Sequence, residues 1–355
     1  MIGTGKRLYL DYNASAPLLD EARNAVIEAL GIPGNPSSVH REGRAARGLV
    51  EAARRSVAAL VNAKSDHVFF TSGATEAAST LLTPKYMMGR AAVRMSHLYV
   101  SATEHPCMLT GGQFPAENIT ILAVDENGIL KLDALQQVLE AHDKSAGLPL
   151  VAVQVANNET GVIQPIREIA AQVKVAGGIF VVDAVQAAGR IKLDITDNCG
   201  DYLIISSHKI GGPKGVGAVI AISDLMMPKA LVRGGGQEKG HRAGTEALPL
   251  IAGFGAAADV AAARLNGNGW SFEARDRLEA GLMEIAPSAT IHGNSVDRLP
   301  NTTFFSLNGQ KAETVQIAFD LGGIALSAGS ACSSGKVGPS HVLAAMGHED
   351  GPGAI

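Results

Sequence analysis

Only three cysteines, Cys107, Cys199 and Cys332, occur in 355 residues. Being odd in number and far apart, they provide neither a disulfide framework nor a close-spaced zinc site. No metal is expected, and a reducing cytoplasm suits such a chain. An excess of either charge is also missing. The 30 Lys and Arg against 34 Asp and Glu leave a formal net charge of -4, which gives no general electrostatic reason to expect nucleic acid or an acidic membrane as partner. A small-molecule substrate is expected instead. The stretch from Met1 to Ala16 has Lys6 and Arg7 but meets Asp11 and Asn13 before any long apolar run, so it lacks the layout of a secretory signal. Leu248 to Leu265 is apolar but rich in Ala and Gly and interrupted by Asp259 and Arg264, which reads as a packed helix and not a membrane span. Internal repeats and low-complexity linkers are absent as well.

What is present is a chain 46% hydrophobic and 18% charged, long enough to bury a large core and to divide into two domains. Short β-rich runs alternate with Ala-rich helical stretches: His67 to Thr71, Leu98 to Ser101, Ile119 to Val124, Leu150 to Val155, Ile179 to Asp183, Tyr202 to Ser206 and Val216 to Ile222. The pattern predicts an α/β fold. Runs such as Val151 to Val155 and Ile179 to Val182 are almost wholly apolar, as expected of strands covered by helices on both faces. In such sheets ligands collect at the carboxyl ends of strands. After Asn266-Gly267-Asn268-Gly269 the composition shifts, with a helix expected around Ser271 to Ala286, a polar turn at Pro300-Asn301 and a strand at Thr302 to Leu307. The expected division is a large domain over 16–260 and a smaller one formed by 1–15 with 261–355.

Four segments could carry chemistry, and each has a plainer reading. Lys209, in Ser206-Ser207-His208-Lys209-Ile210-Gly211-Gly212, stands between an apolar strand and a glycine-rich turn. It is either a solvated loop lysine or an amine poised to bond a carbonyl. Asp183 ends the strand from Ile179 and could pair with a pyridinium nitrogen or cap a helix. Thr71-Ser72-Gly73-Ala74-Thr75-Glu76 follows a strand and opens a helix, so its N–H groups and hydroxyls could hold a phosphate or serve only as a cap. Cys332 sits in Ser327-Ala328-Gly329-Ser330-Ala331-Cys332-Ser333-Ser334-Gly335, nine residues without a bulky side chain, which favours an exposed, reactive thiol over a small buried hydrophobe. Cys107 and Cys199 lack such a setting and are expected to be structural.

Taken together, these segments follow the order and spacing of the cysteine desulfurases of the NifS/IscS type, within the class V aminotransferase fold. The resemblance also rests on Leu10-Asp11-Tyr12-Asn13-Ala14, Gly34-Asn35-Pro36-Ser37-Ser38, Thr103-Glu104-His105-Pro106 and Asn157-Asn158-Glu159-Thr160-Gly161. It extends through the run from Gly234 to Glu246 and through Ser340-His341-Val342-Leu343. The fold it implies is that of fold type I pyridoxal-phosphate enzymes: a large domain with a mostly parallel seven-stranded sheet and a smaller α+β domain. The cofactor implied is pyridoxal 5'-phosphate, bonded through Lys209, with Asp183 at the pyridine nitrogen and Gln186 and Asn158 on its oxygen. His105 would stack on the ring and assist proton transfer. Ala74, Thr75, Ser206 and His208 would hold the phosphate, with Thr245 supplied by the neighbouring subunit of a homodimer. Asn35 and Asn158 would contact the substrate, L-cysteine. Cys332 would take its sulfur as a persulfide, leave alanine, and hand the sulfur to an acceptor or iron–sulfur scaffold protein.

The pattern departs from that family in two places. Ala77-Ala78 follow Glu76 where the family carries polar residues, and relatives place a substrate-gripping arginine just beyond the position of Ile355. A full-length enzyme without that arginine would bind amino acids weakly, since a bidentate guanidinium–carboxylate contact is hard to replace, so a further tail is expected. A selenocysteine lyase would share Lys209 and Asp183 without needing Cys332. An aminotransferase would release a keto acid, against which the thiol loop argues. A catalytically inactive scaffold or sulfur-relay subunit is the reading outside enzymes. The Cys332 loop resembles the longer-loop branch, whose members serve iron–sulfur cluster assembly, nitrogenase maturation and tRNA thiolation; the acceptor stays open.

Overall fold

The apolar runs form strands and the Ala-rich stretches form helices in the computed structural model, which describes residues 7–267, 269–329 and 340–348. In chain order the first elements are β1 (Leu8–Tyr9), α1 (Asp20–Leu30), α2 (Arg41–Leu60), β2 (Val68–Thr71), α3 (Ala74–Leu81), β3 (Lys85–Met88), β4 (Ala91–Ser101), α4 (Pro106–Leu109), β5 (Ile119–Leu122), α5 (Leu132–Glu140) and β6 (Leu148–Gln154). There follow α6 (Ile166–Ala176), β7 (Ile179–Asp183), β8 (Tyr202–Ser206), β9 (Gly217–Ala221), β10 (Met226–Pro228), α7 (Leu248–Asn266), α8 (Phe272–Ile285), β11 (Thr290–Ile291), β12 (Phe305–Ser306), α9 (Ala312–Leu321), β13 (Ile324–Ala325) and α10 (His341–Ala345).

The seven expected strands are there as β2, β4, β5, β6, β7, β8 and β9. The ladders β4–β5, β4–β6, β6–β7 and β7–β8 are parallel, and β9 alone is reversed between β8 and β2. Six strands therefore finish at one edge. Two more strands, β3 and β10, extend the sheet to nine beside the first half of β4. The sequence pattern does not announce them: Lys85-Tyr86-Met87-Met88 and Met226-Met227-Pro228 are rich in unbranched Met, which has no particular strand preference. β3 pairs with β4 across a tight turn at Gly89, whose φ of 58° favours glycine, and β10 pairs in turn with β3. The strand expected over Thr302 to Leu307 is shorter than predicted. Only Phe305–Ser306 pairs, with β11, because that partner is itself two residues long.

Side chains along the central strands alternate between two apolar cores. Val151, Val153, Phe180, Val182, Leu203 and Ile205 face one side, where α1, α2, α6 and α7 contribute; Leu150, Ala152, Ile179, Val181, Tyr202 and Ile204 face the other with α3 and α4. Each fully buried large apolar side chain stabilises by about 1.5–3 kcal/mol, so covering both faces holds the strand ends in place. Helix α7 is long and apolar enough by composition to cross a membrane, and here it packs against α1 and α2. A Cβ on Gly255 would lie 2.6 Å from the Cα of Ala53, so glycine permits the close crossing of α7 over α2. The same helix runs unbroken through Ala261. Outside the large sheet, β1 pairs with β13 in parallel, joining the beginning of the described chain to residues 324–325.

Candidate active site

The edge where six strands finish gathers the polar residues that follow them. Asp183 ends β7, and Ser206 ends the neighbouring β8, followed by His208 and Lys209. Glu104 and His105 lie beyond β4, and Asn157 and Asn158 beyond β6. Ala74 opens α3 after β2.

Asp183 is buried, and burial pushes its carboxyl up to about 6; the Val185 N–H and the Lys209 charge pull the other way. Its Oδ1 accepts from Val185 N at 2.9 Å, a local cap-like bond without an α-helix following it. Lys209 Nζ donates to the carbonyl oxygens of Asn13 and Ala14, the latter at 3.1 Å. His105 is held down to about 4 by burial, then by Lys209 and His341. His208 is also held near 4 by burial and by Lys209 and Lys214, and its Nδ1 lies 3.2 Å from Ser15 Oγ.

Asn13 ties these elements together. Its Nδ2 donates to Asn158 O at 3.0 Å and Thr302 Oγ1 at 3.1 Å, its carbonyl accepts from Gln186 Nε2 at 3.0 Å, and its Oδ1 accepts from Arg190 at 2.8 Å. Gln186 Oε1 accepts from the same Arg190. Buried Arg190 is pulled down to about 10 by burial, and its hydrogen bonds keep the segment before α1 against the sheet. Asn158 Oδ1, by contrast, is buried without a partner among the described residues.

At the opening of α3 the hydroxyls do not cap the helix. Gly73 is the N-cap with no side-chain bond, Thr71 Oγ1 donates to Gly73 O, and Ser72 N donates to Glu76 Oε2. The first amides of α3, those of Ala74 and Thr75 among them, therefore have no side-chain acceptor there, and a helix start of this kind favours an anion. Glu76 also accepts from Arg242 Nε at 3.0 Å, which fastens the loop carrying exposed Thr245 to this helix. Asn35 stands apart: it is exposed, and its Oδ1 accepts from Ser37 N. Cys332 lies outside the described residues, but both flanks of its segment are anchored near the site. On one side Ser327 Oγ donates to Asp11 Oδ1 at 2.7 Å, and on the other Ser340 Oγ donates to Glu159 and His341 Nε2 to Glu104 O at 2.9 Å.

Residues 8–349 match the family described as aminotransferase class-V. The chain belongs to that family. Among the relatives of this class V aminotransferase-family protein is a protein of Cereibacter sphaeroides named cysteine desulfurase, 38% identical over 348 residues that make up 96% of this chain and 87% of the relative. A NifS-like protein from Rickettsia africae superposes with a TM-score of 0.86 at 32% identity, covering 98% of this chain and 92% of its own. Another similar structure is SspA in complex with cysteine, with a TM-score of 0.76 at 27% identity, covering 98% and 97%. Along with the family's fold, sequence reasoning anticipated Lys209, Asp183, His105, Asn158, Ser206 and His208 at one edge. It attached no role to Asn13, Arg190, Glu104 or His341, although Asn13, Glu104 and His341 lie in motifs it singled out. Cys199 is buried as expected of a structural thiol, whereas Cys107 lies 3.1 Å from His105 Nδ1.

Proposed function

We propose that this chain is a cysteine desulfurase: it takes L-cysteine, transfers the sulfur to Cys332 as a persulfide and releases L-alanine, with pyridoxal 5'-phosphate as cofactor. The observation that carries the reading is the pair formed by buried Asp183 and Lys209 after adjacent strands, with His105 beside them. The name shared by the relatives and the cysteine in one structural neighbour support the same substrate.

The residues present fit such a cofactor. Burial pushes the Asp183 carboxyl up to about 6 in spite of the Lys209 charge, and a protonated ring nitrogen would supply a further positive charge to hold it ionised. The unpartnered Asn158 Oδ1 marks a buried amide in need of a polar neighbour, and the second amide hydrogen of Gln186 is left over from its bond to Asn13. The amides of Ala74 and Thr75, with Ser206 and His208, suit the phosphate. When bound, pyridoxal phosphate supplies an electron-withdrawing ring that stabilises negative charge at the substrate Cα.

Within that frame, Lys209 Nζ holds the cofactor and exchanges the Cα proton, and Asp183 keeps a negative charge at the ring nitrogen. His105 remains uncharged beside the ring. The Cys332 thiolate attacks the substrate sulfur, forming an S–S bond as the C–S bond breaks; the electron pair goes to carbon, which takes a proton and departs as alanine. Asn35 would meet substrate only after approaching the edge. Thr245 reaches the phosphate of a second copy in a homodimer, and a sulfur-acceptor or iron–sulfur scaffold protein takes the persulfide in a reducing cytoplasm. Residues 16–260 form the cofactor lobe, and 1–15 with 261–355 the lobe carrying Cys332.

The test is cysteine-dependent alanine and sulfide release by the cofactor-loaded protein beside Cys332→Ala and Lys209→Ala. Both variants are expected to lose turnover, Cys332→Ala while retaining the cofactor's visible absorption. Undiminished release by Cys332→Ala would overturn the persulfide route, and retained turnover of selenocysteine alone would favour a lyase. A wild type that binds cofactor and yields neither product would indicate a non-catalytic sulfur-relay subunit.

A further inference from the structure

Cys107 lies two residues after His105, at the start of α4, and it reaches His105 twice. Its backbone N–H donates to Nδ1 at 3.2 Å, and its Sγ lies 3.1 Å from the same nitrogen. A backbone N–H can only donate, so Nδ1 must offer its lone pair and the neutral ring must carry its proton on Nε2. Burial, followed by the charges of Asp183 and Glu104, pushes the Cys107 thiol up, with the Cys107 backbone N–H and the Thr75 hydroxyl as the lowering influences. The sulfur therefore keeps its hydrogen, and toward an unprotonated nitrogen it acts as a donor.

We propose that Cys107 is a positioning residue for His105: its S–H and N–H together claim the Nδ1 lone pair, fix the Nε2–H tautomer and keep the ring uncharged. Two donors on one nitrogen oppose protonation there. The groups facing this pair agree in direction. Lys209 after β8 and His341 on α10 disfavour a positive charge on His105. Asp183 at the end of β7 and Glu104 after β4 disfavour a negative charge on Cys107. The consequence is an imidazole that can lie beside a cationic ring without repulsion and can present a hydrogen at Nε2. The thiol also joins His105 to Thr75 at the start of α3, so one side chain links two parts of the edge.

This inference rests on the desulfurase reading for its catalytic meaning, but not for its first measurement. The protein with 15N-labelled histidine, assigned by comparison with His105→Asn, reports the tautomer and titration of His105 without any turnover. Wild type is expected to show an unprotonated Nδ1 and a protonated Nε2. In Cys107→Ala the His105 titration is expected to rise by about one pH unit; in Cys107→Ser, which retains a donor, it should stay near wild type. The acid limb of alanine release should move in the same way. A proton on Nδ1 in wild type, or an unchanged His105 titration in both variants, would overturn the proposal, and the wild-type tautomer decides the matter even where a variant does not fold. A wild type with the expected tautomer and coupling but no alanine release would sink the desulfurase reading and leave this one standing.

Discussion

Asp183 stores a conflict at the scale of one residue. In the cofactor-free protein its carboxyl titrates at about 6 against an ordinary value of 3.8. The folded state then binds the proton more tightly than the unfolded chain, so this group's stabilisation is complete below about 4 and is lost as the pH rises through 6. Asp183→Asn should therefore raise the stability of the cofactor-free protein at pH 7 by roughly 3 kcal/mol, with the gain vanishing toward pH 4, as denaturant unfolding at several pH values would show. The same variant should bind the cofactor more weakly. Lys209 and Asp183 were legible in the sequence because one stands just after an apolar strand and the other at the end of one, whereas Asn158 and His208 entered only through the family resemblance. Asn13 was not, because its importance comes from bonds to Asn158, Gln186 and Arg190, whose proximity no local pattern specifies.

Elements meet through buried polar contacts that the same logic weighs. Between α2 and the 3-10 turn Gln237–Gly240, Arg54 donates to Glu238 at 2.6 and 3.0 Å, and Glu238 Oε2 also accepts from Phe70 N in β2. Glu238 and Lys239 hold φ values of 47° and 56°, a conformation that these side chains tolerate only under outside restraint. Removing one partner leaves a buried charge, so Glu238→Ala should lose about 3–5 kcal/mol in denaturant unfolding. Helix α10 depends on another such contact. Ser340→Ala would leave buried Glu159 without its hydroxyl donor, and the amides of 341–346 should exchange about 10- to 100-fold faster. Unchanged protection there would show that Val342 and Leu343, packed with Val124 and Phe304, hold α10 alone. Sequence pattern anticipated the long elements but missed β3 and β10, because β3 is recruited by β4 and β10 by β3, and not by any strand preference of their own residues.

At the scale of the whole molecule, exposed Thr245 gives the proposed homodimer a direct test. If each site takes Thr245 from the other copy, Thr245→Ala and Lys209→Ala subunits should be impaired separately, while mixing and re-forming dimers should restore about one wild-type site per mixed dimer. Mixtures no more active than the separate variants would place Thr245 in its own subunit's site. The sequence by itself determined the α/β class, the seven strands and the family, because apolar periodicity and short motifs are local properties that survive in one dimension. Only the tertiary structure decided that six strand ends converge, that Asn13 joins segments far apart in the chain, and that Cys107 touches His105. Those outcomes depend on strand order and on which helices cover which face, and these are settled when the two cores pack.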